Sequence, residues 1–320
     1  MVEEEVREML HDLTEHDDRG VAVVLIGTVL TLYFRNGHCR DVRNAVLDCF
    51  NEYLLLHGNK FRWWVTEGGH PSPVASLTDK DMTPYLLSDK YERPDSDLNW
   101  AFLWHGGERR EDASTVAFFG FGASRADSEY LGALSFISVK FPLATEEGAA
   151  SELLTITEKW AKRLKPLHGY AGAAVFTSPD DATAAKSEGR LVYYGGRYPG
   201  LELDFPLSHA LHTRQGIKGV NWLTVLSDEL LNAAGGIDQL VAHLPKGGKF
   251  KTYQGGGVLI ASPLPCIGDR YEGIDVPAYR QVAQMLKPIR ITLHPAVRRT
   301  PAGFDRQGFE GWLNRLDNAS

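Results

Sequence analysis

The sequence has few cysteines and no long hydrophobic run, and each shortage excludes a class of protein. Its three cysteines, Cys39, Cys49 and Cys266, are an odd number without a CxxC pair, which indicates a reducing compartment. The longest apolar run, VAVVLIGTVLTLYF at 21–34, has 14 residues, whereas a membrane-spanning helix needs about 20. The β-branched residues of this run predict a buried strand instead.

The amino terminus and the charge balance predict a cytoplasmic protein that does not bind nucleic acid. The first residues, MVEEEVREML, are acidic and lack the basic start of a secretory signal. Residues 1–150 carry 14 Lys and Arg against 25 Asp and Glu, a net charge of −11, whereas residues 151–320 carry 20 against 16, a net charge of +4. The acidic half repels nucleic acid, but it attracts a basic protein and speeds the encounter.

The glycine-rich segment YQGGGVLIASPLPCIGDRYEG, residues 253–273, does not have the order of a phosphate-binding loop. Such a loop needs a strand, then glycines, then a helix whose N-terminus holds the anion. Here Gly255, Gly256 and Gly257 precede the strand VLIAS, and a proline-rich turn follows it. We therefore interpret these glycines as residues that allow a tight entry into the strand and close packing.

Other residues that could carry chemistry also have a structural interpretation. HALH at 209–212 places two histidines three residues apart, but no glutamate or third metal ligand accompanies them. Helix starts, turns and helix ends account for the remaining candidates, which are Glu146, Glu147, Asp180, Asp181, Asp269, His57 and His168. No GxSxG or HExxH motif occurs, so we predict no catalytic residue, metal site or cofactor. Because triads are defined by geometry, an enzyme with a His and carboxylate site remains the alternative.

Hydrophobic periodicity predicts a chain in which helices and strands alternate. We predict helices at 2–13, 41–57, 148–164, 221–236, 237–244, 277–287 and 306–316, with Asn221 as an N-cap. We predict strands at 21–34, 60–65, 100–104, 115–121, 133–141, 169–176, 190–196, 257–263 and 288–295, with a polar turn between the fourth and fifth. This order predicts an α+β fold (mixed α/β), with antiparallel or mixed sheets and helices packed on one face.

The length of the chain favours one large domain or two. We treat 1–320 as a single domain in which two related αβ halves, about 15–178 and 179–320, are an option. The tripeptide Leu-His-Gly follows a strand and a helix at both 56–58 and 167–169. One shared tripeptide is a weak sign of an internal duplication.

Four blocks in the C-terminal part resemble the type VI secretion immunity family, which was long filed as a domain of unknown function. The blocks are GRYPGLEL at 196–203, GIKGVNWLTVLSDELLNAAGG at 216–236, GGGVLIASPLPCIGD at 255–269 and PAYRQVAQMLKPIR at 277–290. Their order and spacing carry the resemblance, which extends over about 20–315. The acidic segment 79–112 has no matching block.

The resemblance implies a cytoplasmic protein that protects a bacterium from the toxin that it makes and injects into its neighbours. Members similar to this chain pair with nuclease toxins of the restriction-endonuclease-like class, including the VRR-Nuc type. The implied partner is a cognate toxin, bound in a 1:1 complex. The resemblance implies no direct binding to nucleic acid and no association with a membrane. Immunity to a non-nuclease cytosolic toxin is an alternative. The shared residues are expected to maintain turns and a helix start, and they are Pro199, Gly200, Gly219, Asn221, Trp222, Gly256, Gly268 and Asp269.

The acidic segment 79–112 is the predicted toxin-binding surface. It lies in a stretch, 66–112, that is rich in Gly, Pro, Asp and Ser, and long irregular stretches in compact proteins are usually functional or mobile. We expect carboxylates and aromatic anchors to contact the toxin, namely Asp79, Asp81, Asp89, Glu92, Asp95, Asp97, Tyr85, Tyr91 and Trp104. A core position for Trp104 is the alternative, and binding away from the toxin's active site stays open.

Overall fold

Twelve strands and the helices between them make up the fold of the described part of the chain. The computed structural model describes residues 14–75, 81–93, 96–144, 146–291 and 306–317, and the helix expected at 2–13 lies outside them. The strands are β1 (Glu15–His16), β2 (Ala22–Phe34), β3 (Trp63–Thr66), β4 (Ser72–Pro73), β5 (Trp100–His105), β6 (Ala117–Gly122), β7 (Ser135–Phe141), β8 (His168–Thr177), β9 (Glu202–Leu203), β10 (Leu223–Ser227), β11 (Lys249–Tyr253) and β12 (Gly256–Ile260). The helices are α1 (Arg40–His57), α2 (Thr83–Leu86), α3 (Glu147–Leu164), α4 (Asp181–Lys186), α5 (Glu188–Arg197), α6 (Pro206–His212), α7 (Asp228–Ala233), α8 (Ile237–Ala242), α9 (Pro277–Met285) and α10 (Arg306–Leu313).

All the strands belong to one sheet, in the order β11-β12-β10-β8-β2-β7-β6-β5-β3-β4, with β1 added to β2 and β9 to β8. The pairings along this order are antiparallel, and β9 joins β8 in parallel. The 13-residue strand β2 lies at the centre and pairs with β7 and β8. It is almost entirely buried, which explains its continuous apolar sequence. The predicted α+β class with an antiparallel sheet is confirmed.

Aromatic side chains fill the space between the sheet and the two long helices, α1 and α3. Phe50 of α1 packs edge-on against Phe102 and Phe118, with ring centroids 5.5 and 5.3 Å apart. Trp160 of α3 packs on Phe118 and donates its indole N–H to Glu52 of α1 at 2.9 Å. Such aromatic pairs add about 0.5–1.5 kcal/mol beyond their buried area. A second, smaller core is formed by residues of β2, β8, β9, α5 and α10.

The predicted helix at 221–236 is wrong in its first half. Residues 223–227 form β10, which lies between β8 and β12 and buries its residues on both faces. A strand that is covered on both sides has no period-2 alternation, so its apolar run looks like the face of a helix. Helix α7 begins only at Asp228, and its N-cap is Ser227 rather than Asn221, because the Ser227 hydroxyl accepts the N–H of Leu230 at 3.3 Å.

The predicted strand at 190–196 is also wrong, since these residues lie in α5. Leu191, Tyr194 and Tyr198 are buried at helical spacing, so tertiary packing decides the conformation of a segment with two tyrosines and two glycines. The predicted strand at 288–295 starts with the short 3-10 turn Lys287–Ile289. Its residues from 292 onward lie outside the described chain.

The glycine-rich segment forms the hairpin between β11 and β12. Tyr253 and Gly256 are paired across a two-residue turn, and Gly255 has φ of 102°, which favours glycine. A strand, not a helix, follows the glycines, so this turn provides no helix N-terminus for a phosphate.

The packing of two glycines from the shared blocks yields a stability prediction. A Cβ at Gly200 would lie 2.1 Å from the carbonyl oxygen of Cys266, whereas a Cβ at Gly219 meets nothing within 4 Å. We expect Gly200→Ala to lower the free energy of unfolding by about 2 kcal/mol or more, and Gly219→Ala to change it by less than about 0.5 kcal/mol. Urea unfolding followed by circular dichroism measures both, and equal effects would contradict the packing argument.

Candidate protein-binding surface

The predicted toxin-binding carboxylates lie in the loop that joins β4 to β5, which we call the acidic loop. Asp81 precedes α2, Asp89 begins a 3-10 turn that Glu92 follows, and Asp97 precedes β5. Asp81, Asp89 and Asp97 are exposed, and 84% of the Asp89 side chain is accessible. The loop therefore presents negative charge to solvent. Two more of the predicted carboxylates lie outside the described residues, Asp79 and Asp95.

A buried cation, Arg43 of α1, holds this loop from beneath. Its Nη1 donates to the carbonyl oxygens of Leu86 and Ser88, at 2.6 and 2.8 Å, and its Nη2 donates to Glu92 Oε1 at 2.6 Å. The Arg43 side chain is completely buried. Burial lowers the pKa of its guanidinium, and the Glu92 carboxylate opposes that shift. Because the planar guanidinium binds three acceptors in fixed directions, it fixes the backbone of 86–92.

Further hydrogen bonds fix the beginning of the loop. The Asp81 carboxylate accepts the backbone N–H of Thr83 at 2.9 Å, where α2 begins. Hydrogen bonds from the Thr83 hydroxyl and from its backbone lower the pKa of the Asp81 carboxyl. The Tyr85 hydroxyl donates to the carbonyl of Ala101 at 2.9 Å and accepts its N–H at 3.2 Å. These bonds attach α2 to the first residues of β5, so the exposed carboxylates stand on an ordered backbone.

The aromatic residues predicted as anchors pack into the core. Trp104 is completely buried and stacks on Trp64, with ring centroids 5.6 Å apart. Tyr91 is 3% exposed, and its ring lies beneath the ammonium of Lys90. A binding anchor must reach its partner, so Trp104 and Tyr91 do not belong to the binding surface. Tyr85 is half-buried, with its hydroxyl directed to β5.

A second exposed segment lies beside the acidic loop and was missed by sequence reasoning. The tip of the β6–β7 hairpin, residues 123–134, contains the π-helical turn Asp127–Leu131. The Ser124 N–H donates to the Asn99 side-chain oxygen at 2.6 Å, which joins the tip to the chain before β5. Tyr130 and Leu131 are 83% and 57% exposed. The sequence DSEYL could have indicated this segment, because it places an aromatic residue and a leucine next to acidic residues in a turn.

We call the described residues of 81–99 together with 123–134 the acidic end. Six acidic and three basic side chains lie in it, and they are Asp81, Asp89, Glu92, Asp97, Asp127, Glu129, Lys90, Arg93 and Arg125. The exposed Leu98, Tyr130 and Leu131 lie between these charges along the chain. Exposed apolar residues rimmed by charge are typical of a protein-binding surface.

A buried polar cluster within the sheet is the place where an enzymatic site would be sought. Lys218 Nζ donates to Glu202 Oε1 at 2.6 Å, to the Tyr170 hydroxyl at 2.9 Å and to His209 Nδ1 at 3.0 Å. The Tyr170 hydroxyl donates in turn to Asp204. The Lys218 and Glu202 side chains are each 3% exposed, and burial lowers the pKa of Lys218. Because these groups satisfy one another in the interior, the cluster is a buried ion pair that joins β8, β9 and α6.

The other candidate ligands and charges have local structural contacts. Within the described ranges, no group of three or more His, Cys, Asp or Glu side chains is placed to hold a metal ion. Asp269 lies in a turn, where it accepts the N–H of Tyr271 at 2.9 Å and pairs with Arg197 at 2.7 Å. Asp180 caps α4 by accepting the N–H of Thr183 at 2.9 Å. No helix among the described residues is long and apolar enough to cross a bilayer.

The remaining residues of the shared blocks pack loops against the sheet. The Asn221 side-chain oxygen accepts the N–H of Trp222 at 2.7 Å, and the Trp222 indole donates to the carbonyl of Ser262 at 2.8 Å. The Pro199 carbonyl accepts Nε of buried Arg315 at 2.9 Å. None of these contacts lies in the acidic end.

Removal of the Arg43 guanidinium tests how the loop is held. Arg43→Met leaves two carbonyls and the Glu92 carboxylate without their donor, so we expect a loss of about 3 kcal/mol in the free energy of unfolding. Arg40→Met removes only an exposed pair with Asp89 and is expected to cost at most about 1 kcal/mol. Denaturant unfolding measures both values. Amide exchange at 86–92 should accelerate in Arg43→Met, and unchanged exchange there would contradict this role.

Comparison with known proteins agrees with the resemblance of the four blocks. The family model TsiV, described as type VI immunity for VRR-NUC, matches residues 45–316. The structure is similar to that of the Pseudomonas aeruginosa T6SS protein PA0821, with a TM-score of 0.81 and 26% sequence identity over 98% of this chain and 90% of that chain. No curated protein matches the chain. Since the family model spans most of the sheet and all of the acidic end, the chain belongs to the TsiV family of type VI immunity proteins for VRR-NUC.

Proposed function

We propose that this protein binds one cognate VRR-Nuc toxin and neutralises it by covering the cleft through which the toxin reaches nucleic acid. Family membership supports the class of partner. The single observation that supports the binding mode is the exposed acidic loop held by buried Arg43. In this proposal the protein acts as an inhibitor in the cytoplasm and catalyses no reaction.

The proposal follows from the electrostatics of nucleases. A nuclease holds the phosphate backbone with Lys and Arg side chains, so its cleft attracts carboxylates that are exposed on an ordered loop. Attraction between opposite potentials raises the association rate. Because leftover free toxin is lethal, we expect a dissociation constant of nanomolar or lower, about −12 kcal/mol. An interface of about 1,600 Å² supplies that affinity when a few anchors are well buried.

Co-expression with a VRR-Nuc toxin, sought among the genes that adjoin that of this chain, tests the function. We expect the chain to restore growth and to copurify with the toxin as a 1:1 complex that does not cleave DNA. Rescue of growth without any complex would contradict inhibition by binding and would favour an enzyme that acts on the toxin or its product.

Charge reversal tests the part played by the acidic loop. Asp89→Lys with Asp97→Lys should lower the association rate for a catalytically inactive toxin by at least about tenfold at low salt, because steering depends on charge near the contact. The difference should shrink at about 0.5 M salt, where the Debye length is a few ångströms. Stopped-flow mixing measures the rates.

The matched control is Asp238→Lys with Glu272→Lys, which changes the net charge equally at exposed positions outside the acidic end. It should change the association rate by less than about twofold if local charge matters more than net charge. Equal slowing in both double variants would remove the acidic loop from the proposed interface. Asp89 and Asp97 are chosen because Glu92 pairs with buried Arg43, so its reversal would also disturb the fold.

A further inference from the structure

We propose that Tyr130 and Leu131, at the tip of the β6–β7 hairpin, are the apolar anchors of the toxin complex. This inference rests on the proposed function and adds a specific contact to it. The acidic loop supplies charge, but its aromatic residues Tyr91 and Trp104 are buried. A tight interface also needs a few large side chains that become desolvated, and the hairpin tip supplies them beside the loop.

Among the described residues, neither hydrophobic core includes Tyr130 or Leu131. Tyr130 is 83% exposed and Leu131 is 57% exposed, and they are neighbours in one turn. Leu98, 48% exposed, lies just before Asn99, which binds the hairpin tip. Tyrosine is among the residues most enriched in binding hot spots. A π-helical turn is rare and is frequent at functional sites, which agrees with a binding role for the tip.

The hairpin tip is held in place, so its anchors are presented in a defined position. The Ser124 hydroxyl accepts the N–H of Asp127 at 3.0 Å, and the carbonyl of Asp127 accepts the N–H of Ala133 at 3.1 Å. Arg214 donates to the carbonyl of Leu131 at 3.1 Å. Gly132 closes the turn with φ of 64°. An anchor on an ordered turn loses little conformational entropy when it binds.

The negative charge around the anchors favours binding of a basic toxin cleft over binding of a second copy of this chain. Asp127 and Glu129 precede the anchors in the same turn, and Asp97 precedes Leu98 across the contact with Asn99. Carboxylates beside an aromatic anchor complement the Lys and Arg side chains that border a phosphate-binding cleft. A second copy of this chain would place carboxylates against carboxylates, which is unfavourable.

The experiment compares two double variants in binding to a catalytically inactive form of the cognate VRR-Nuc toxin. Tyr130→Ala with Leu131→Ala should raise the dissociation constant by about 100-fold, mainly through faster dissociation. The control, Leu55→Ala with Leu56→Ala, removes two neighbouring side chains of α1 that are 87% and 46% exposed. It should change the constant by less than about threefold. Thermal unfolding confirms that both variants fold.

The possible results distinguish failure of this inference alone from failure of the proposed function. If the unmodified chain binds the toxin and the hairpin variant binds as tightly as the control, the inference is overturned and the function stands. If the unmodified chain does not bind the toxin, both fall. If the hairpin substitutions dissociate a dimer of this chain in sedimentation but leave toxin affinity unchanged, the surface binds a second copy and the inference is wrong. Tyr130→Phe should retain most of the affinity, because the ring supplies the contact.

Discussion

The buried guanidinium of Arg43 makes the acidic end an ordered surface before any partner binds. Arg43 packs against the inner side of the loop that carries the exposed carboxylates, and it binds two backbone carbonyls and the Glu92 carboxylate. The desolvation of a buried cation is costly. The three hydrogen bonds from the two Nη atoms offset it, whereas Nε has no hydrogen-bond partner among the described residues. The same contact therefore stabilises the fold and leaves a partner with a preformed negative surface, which lowers the entropy lost on binding.

The antiparallel sheet explains how segments far apart in sequence meet at this surface. Because β6 pairs with both β5 and β7, the end of β6 lies beside the beginnings of its two neighbours, where the acidic loop and the hairpin tip are found. At one edge of the sheet, β11 exposes Lys249 and Lys251, and charged edge strands discourage pairing with other chains. Between the edges, the buried Lys218 cluster connects β8 with the segments around β9 and α6.

The sequence was sufficient to predict elements with long, strong periodicity, such as β2, α1 and α3. It was insufficient at β10, because a strand buried on both faces and the side of a helix are equally apolar over five residues. Within the candidate site, the exposed carboxylates were predicted from composition alone. The support from Arg43 was not, since that contact joins residues 43 positions apart. The same holds for Trp104, whose burial depends on Trp64 and Phe50 from other elements, and for Tyr130, whose exposure depends on what the fold leaves uncovered.

Backbone hydrogen exchange of the protein, free and bound to its toxin, is the most direct test of the claim that the acidic end is a preformed binding surface. The account predicts that exchange at 86–92 is already slow in the free protein, because Arg43 orders that backbone. It predicts that the toxin slows exchange further in the acidic end while β11 remains unchanged. Fast exchange at 86–92 in the free protein, or protection by the toxin confined to β11 and its neighbours, would contradict it.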